Sequence, residues 1–164
     1  MLRDKNLIPL SHQHQRALAL CVRIERASPV PPENLEAWQS EIAMQFRNEI
    51  AIHFAAEEQV LFAEARRFEE LRPLVEDLVQ EHAELRQRFA RAESREMSGR
   101  DLLEFAQRLA AHVRKEERQL FERMQALMSA EELAALGTRL NLALADTEQV
   151  CAVPTEATRL RGKV

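Results

Sequence analysis

Two segments of the chain match one another without a gap: His53-Phe-Ala-Ala-Glu57-Glu58-Gln-Val-Leu61-Phe62 and His112-Val-Arg-Lys-Glu116-Glu117-Arg-Gln-Leu120-Phe121. Both read H-x-x-x-E-E-x-x-L-F. A histidine and a glutamate four residues apart lie on the same face of an α-helix. Each segment therefore presents an imidazole beside a carboxylate. Together these are ligands for Fe, Mn or Zn. One H-x-x-x-E in a glutamate-rich chain is a weak signal. Two copies, with two further histidines at His14 and His82 in phase with their own helices, are a strong one.

Positioning these residues requires four helices, and the chain supplies them. Pro9 and Ser11 open a first helix, with Ser11 as its expected N-cap, and Ser28-Pro29-Val30-Pro31-Pro32 closes it after about Ala27. A long second helix is expected over about 33–70. Pro73 starts the third, which runs to about Met97. Ser98 with Asp101 caps a fourth over about 100–128, and Ser129-x-x-Glu132 is a capping box for a short fifth helix. Gly137 either ends that helix or sits within it.

Each main helix carries one apolar stripe at steps of three and four. The stripes read Leu10, His14, Leu18, Cys21; Ile42, Phe46, Ile50, His53, Glu57, Leu61; Leu74, Leu78, His82, Leu85, Phe89; and Phe105, Leu109, His112, Glu116, Leu120, Met124. Four amphipathic helices with short connections predict an all-α, up-down-up-down four-helix bundle. The expected domain is residues 1–145, with a C-terminal tail over 146–164 that loses the pattern. His82 and His112 lie at similar distances from Ser98-Gly99 and so meet at one level across that hairpin. Glu57 and His82 match less well across Pro73, by about two turns.

Six polar side chains thus fall on buried stripes: His14, His53, Glu57, His82, His112 and Glu116. A buried glutamate without a partner is costly or stays protonated. A shared metal site removes that cost. His12 is out of phase with His14 and reads as a surface residue, or a supplementary ligand otherwise. Glu58 and Glu117 read as groups beside the ligands or on the helix surface, with terminal ligation still open. The phenylalanines read as core, Cys21 as a small core residue, and the arginines from Arg86 to Arg100 as a solvated helix end.

The composition of this 164-residue chain is consistent with one helical domain: 46% hydrophobic, 3 Gly, no Tyr. A net charge of −4 without a basic face argues against nucleic acid. No apolar run reaches membrane-spanning length, and the first ten residues lack a signal-peptide apolar region. A cytoplasmic location is expected. The two cysteines, Cys21 and Cys151, form no metal or redox motif.

The paired H-x-x-x-E-E segments, with Ser11-His-Gln-His14-Gln-Arg-Ala17-Leu18 in the first helix, resemble the hemerythrin-like, or HHE cation-binding, proteins over about residues 7–128. The resemblance implies a non-haem di-iron centre inside the bundle. His14 and His53 would bind one iron, His82 and His112 the other, and Glu57 and Glu116 would bridge them. Mn or Zn could substitute. The family's oxygen carriers usually have a second histidine four residues from the one on the third helix. Here those positions are Leu78 and Arg86. The resemblance therefore implies a centre with open coordination positions that engages O2, NO or peroxide as sensor, carrier or stress and iron-handling factor, with long-lived O2 carriage the less expected use. Two alternatives stay open: a di-iron oxidase- or peroxidase-like enzyme, and a repair protein for iron–sulfur clusters or nitrosative damage. Ferritin-like di-iron enzymes use E-x-x-H, and no histidine here has a glutamate three residues before it. The repair proteins often carry an extra N-terminal cysteine-containing domain, whereas this sequence opens at its first helix.

Overall fold

A computed structural model describes residues 2–145 and 155–160. Among them are four long helices: α1 Ile8–Ala27, α2 over residues 35–65, α3 Arg72–Glu93 and α4 over residues 99–127. A shorter α5, Ala130–Ala143, and one turn of helix, α6 Glu156–Arg159, follow. No strand occurs among the described residues. The protein is an all-α helical bundle.

Most helix ends fall where the chain chemistry places them. Ser98 and Asp101 form a reciprocal capping box at α4, and Ser129 and Glu132 form another at α5. Three ends differ from expectation. α1 begins one turn early, with Pro9 in its first turn and Leu7 at the cap position, so Ser11 is inside the helix. Its hydroxyl instead donates to Glu117 (2.7 Å). α2 stops at residue 65, and a 3-10 turn at Glu69–Leu71 leads into α3. That earlier stop removes most of the offset between Glu57 and His82, which now lie at similar distances from the connection. α3 stops at Glu93 because Arg95 takes a left-handed conformation (φ 61°). The Arg95 and Glu96 N–H groups then donate back to the Ala92 and Arg91 carbonyls, a Schellman closure with arginine at the usual glycine position. Gly137 lies within α5, where Asn6 packs so close that a Cβ would meet its Oδ1 at 2.5 Å.

The bundle interior holds two apolar clusters. One gathers Leu20, Ile24, Trp38, Ile42, Phe89 and Phe105. The other gathers Leu10, Leu61, Phe62, Leu78, Leu120, Phe121 and Leu136. Every long helix passes from one cluster to the other at its histidine. α1 and α3 cross in one sense along the chain, and α2 and α4 in the other. A polar band at mid-bundle therefore separates two oily halves. Of the expected tail, residues 146–154 and 161–164, and Cys151 with them, lie outside the described residues. In α6, Ala157 is buried, and the Thr155 hydroxyl just before it donates to Glu41 of α2 (2.8 Å).

Candidate metal centre

Three stretches of the long helices widen from α to π geometry: Phe46–Ile50, Glu57–Leu61 and Glu116–Leu120. Two of these begin at the glutamates of the repeated motif. Stripe residues four apart drift by about 40° per step on an α-helix. The wider π turn takes up that drift, so His112, Glu116, Leu120 and Met124 can all stay inside. π turns are frequent at functional sites.

The structure brings the six singled-out residues together. His14, His53, Glu57 and Glu116 form one group of potential ligand atoms, all within 4.8 Å of one another. Glu57, His82, His112 and Glu116 form a second on the same criterion. The two glutamates belong to both. All six residues are buried, and Glu57, His82 and Glu116 are 0% exposed. Inside, His14 Nε2 lies 3.1 Å from Glu116 Oε2, and His53 Nε2 lies 3.1 Å from Glu57 Oε1. His82 Nε2 lies 3.4 Å from Glu57 Oε2, and His112 Nε2 lies 3.4 Å from Glu116 Oε1.

Each ring is held from behind by the neighbouring helix. His14 Nδ1 donates to Glu117 Oε1 (2.7 Å) and His53 Nδ1 to Gln13 Oε1 (2.6 Å). His82 Nδ1 donates to Glu58 Oε1 (2.8 Å) and His112 Nδ1 to Glu81 Oε2 (2.8 Å). The supports form a closed ring: α1 holds α2, α2 holds α3, α3 holds α4, and α4 holds α1. Cations and hydroxyls anchor three of the four supports. Arg86 pairs with Glu58, Lys115 with Glu81, and Arg3 and Ser11 with Glu117.

The tautomers follow from these contacts. Although burial opposes it, His14, Ser11 and Arg3 push the Glu117 carboxyl down to about 2. Against the same burial, Arg86 with His82 lowers Glu58, and His112 with Lys115 lowers Glu81. These are ionised acceptors, so the Nδ1 atoms facing them carry the hydrogens. A neutral ring then points the Nε2 lone pair inward. His82 and His112 face each other Nε2 to Nε2 at 3.0 Å. All four oxygens of Glu57 and Glu116, and His14 Nε2, find no hydrogen-bond donor among the described residues.

An interior of acceptors needs positive charge. In the bare chain, the site favours protons on His14 and His82. Burial works against the charged imidazole at His14, but Glu116, Glu117 and Glu57 outweigh it and raise its pKa well above the usual value. Burial likewise opposes ionised Glu57, yet His53, His14 and His82 hold it well below the carboxylate range. His82 is raised against its burial by Glu57 and Glu116. Metal cations would serve the same groups with better-matched geometry, and the donor set fits them.

Aromatic walls enclose the band. Phe54 stacks on His82 with ring centroids 3.8 Å apart, and Phe121 stacks on His14 at 5.5 Å. The two positions four residues from His82 offer no ligand atom. Leu78 is buried in apolar packing, and Arg86 turns outward to Glu58. His12 is exposed, away from the site.

Sequence reasoning missed three residues: Gln13 and Glu81, which hold rings of the site, and Glu49, which lines the cavity beside it. Gln13 and Glu81 immediately precede His14 and His82, off the inward stripe. Glu49 is 1% exposed and four residues before His53, on the same face. That spacing was the available signal, and the apolar reading of Phe46 and Ile50 obscured it.

The model of the hemerythrin HHE cation binding domain family matches residues 9–124 of the chain. No curated protein and no solved structure matches it significantly. The match spans most of the chain and all six clustered side chains, so the chain belongs to the hemerythrin HHE cation-binding family.

Proposed function

We propose that this protein holds two non-haem iron ions, with His14 and His53 on one, His82 and His112 on the other, and Glu57 and Glu116 bridging both. One observation carries the reading. Two groups of buried ligand atoms share both of their carboxylates, and all four carboxylate oxygens find no donor among the described residues. A single ion would leave one histidine pair unused. Imidazole and carboxylate also suit Mn and Zn, and the family favours iron.

Bound iron would supply a change of oxidation state and a coordination position for a small ligand. The protein's own residues do the rest. The ring of Glu117, Gln13, Glu58 and Glu81 fixes each imidazole with Nε2 inward and raises its basicity. Phe54, Phe62 and Phe121 limit water around the band. With Leu78 and Arg86 where a further histidine would stand, positions remain for O2, NO or peroxide. We read the function as sensing, stress response or iron handling through such a ligand, in the cytoplasm, in preference to stable O2 carriage.

The test is exposure of the reduced, iron-loaded protein to NO and to O2, followed by optical and Mössbauer spectroscopy. A new NO-dependent spectrum and rapid oxidation by O2 are expected. A long-lived, reversible O2 adduct would make the protein a carrier. Sustained turnover of hydrogen peroxide would make it an enzyme.

A further inference from the structure

We propose that Glu49 is a charge filter for ligands reaching the metal site, admitting neutral and O–H-bearing molecules and rejecting small anions. The inference rests on the metal reading above and concerns a residue outside the six ligands.

A small cavity, with about 10 Å³ for the centre of a water-sized molecule, borders His14, His53, His112 and Glu116. It has room for about one water molecule. A larger groove of about 180 Å³ lies outside it, lined by Arg16, Arg23, Glu41 and Thr155 among others. Glu49 is the one described residue that borders both. It lies on the π turn Phe46–Ile50 of α2, and its side chain is 2% exposed.

The two oxygens of Glu49 are used differently. Oε2 accepts from Arg16 Nε (2.8 Å) and pairs with Arg16 Nη2 (2.6 Å), and Arg16 belongs to the outer groove. Oε1 is buried and has no donor among the described residues. The Arg16 side chain is 46% exposed, so solvent screens its charge far more than that of Glu49. The carboxylate, which borders the cavity, is therefore incompletely cancelled. A molecule passing from groove to cavity meets a fixed negative charge and a free hydrogen-bond acceptor. Oxygen and nitric oxide cross that field unopposed. Hydrogen peroxide or water can donate to Oε1. Azide, nitrite or superoxide is repelled, although the metals beyond would attract it.

The experiment uses the full chain, loaded with iron and oxidised, titrated with sodium azide at pH 8 and followed optically. Glu49→Gln removes the charge at nearly constant shape. Azide affinity should rise at least about tenfold, about 1.4 kcal/mol. Iron content should stay unchanged, and NO affinity of the reduced form should stay within about twofold. Arg16→Gln removes the outer countercharge and should weaken azide binding. Opposite signs for the two variants separate a charge effect from simple loosening of the fold, which would move both the same way. The Arg16→Gln arm carries the test if Glu49→Gln fails to fold. Unchanged azide affinity in both variants with iron in place overturns the filter alone. Loss of an iron from Glu49→Gln also overturns it, by making Glu49 a ligand. Failure of the wild-type chain to take up iron overturns the metal reading, and the filter with it.

Discussion

Four histidines in this protein face inward for one reason each, and the reason sits on the adjacent helix. Removing the acceptor behind a ring leaves that ring free to turn or change tautomer. Glu117→Gln and Glu58→Gln should each lower metal affinity by about 10–100-fold, measured by chelator competition. Ser11→Ala, which removes one hydroxyl donor to Glu117, should do less. Protonation gives a second prediction. The carboxylates raise the pKa values of His14 and His82, despite burial, so the bare site favours bound protons. Metal must displace them. Affinity should rise with pH through the raised range, and calorimetry in buffers of different ionisation enthalpy should detect proton release. Identical heats in all buffers would contradict this. The six inward side chains were legible in the sequence because each interrupts an apolar stripe. Gln13 and Glu81 were not, because their role depends on which helix lies beside them. Glu49 was readable in principle, as an acidic residue four before His53 with nowhere exposed to go.

At the scale of the element, helix ends set the heights of the six inward side chains. The Ser98–Asp101 box starts α4 and fixes the register of His112 and Glu116 relative to α3. Ser98→Ala should cost about 1 kcal/mol, or a Tm loss of about 2–4 °C. Ser98 contacts, with Arg91, depress the Asp101 carboxyl to about 2. A depressed acid stabilises the fold above its unfolded value and loses that contribution as pH falls through its folded one. The Tm gap between wild type and Ser98→Ala should therefore hold above about pH 4 and shrink towards pH 2. Both capping boxes were legible because their signal is local. The end of α3 was not, because Arg95 adopts a left-handed turn that sequence assigns to glycine or asparagine. The π turns left only a trace, the run of steps of four around Glu57 and Glu116.

For the whole molecule, the polar band separates two apolar clusters. Burying two carboxylates and four imidazoles there costs several kcal/mol per uncompensated charge. A fold optimised for stability alone would place leucine at those positions. The bundle is therefore expected to be less stable bare than loaded, because binding energy adds directly to folding. Apolar periodicity was enough to reveal the helical class, because it needs only the chain's own pattern. How the supports close into a ring around the band depends on helix neighbours, which no single stripe encodes.

The most direct measurement is iron content after anaerobic loading and desalting, for wild type, His53→Ala and Glu57→Ala. The di-iron reading predicts about two irons per wild-type chain and substantial loss, with a lower Tm, in both variants. No retained metal in the wild type, or full metal and unchanged Tm in Glu57→Ala, would contradict it.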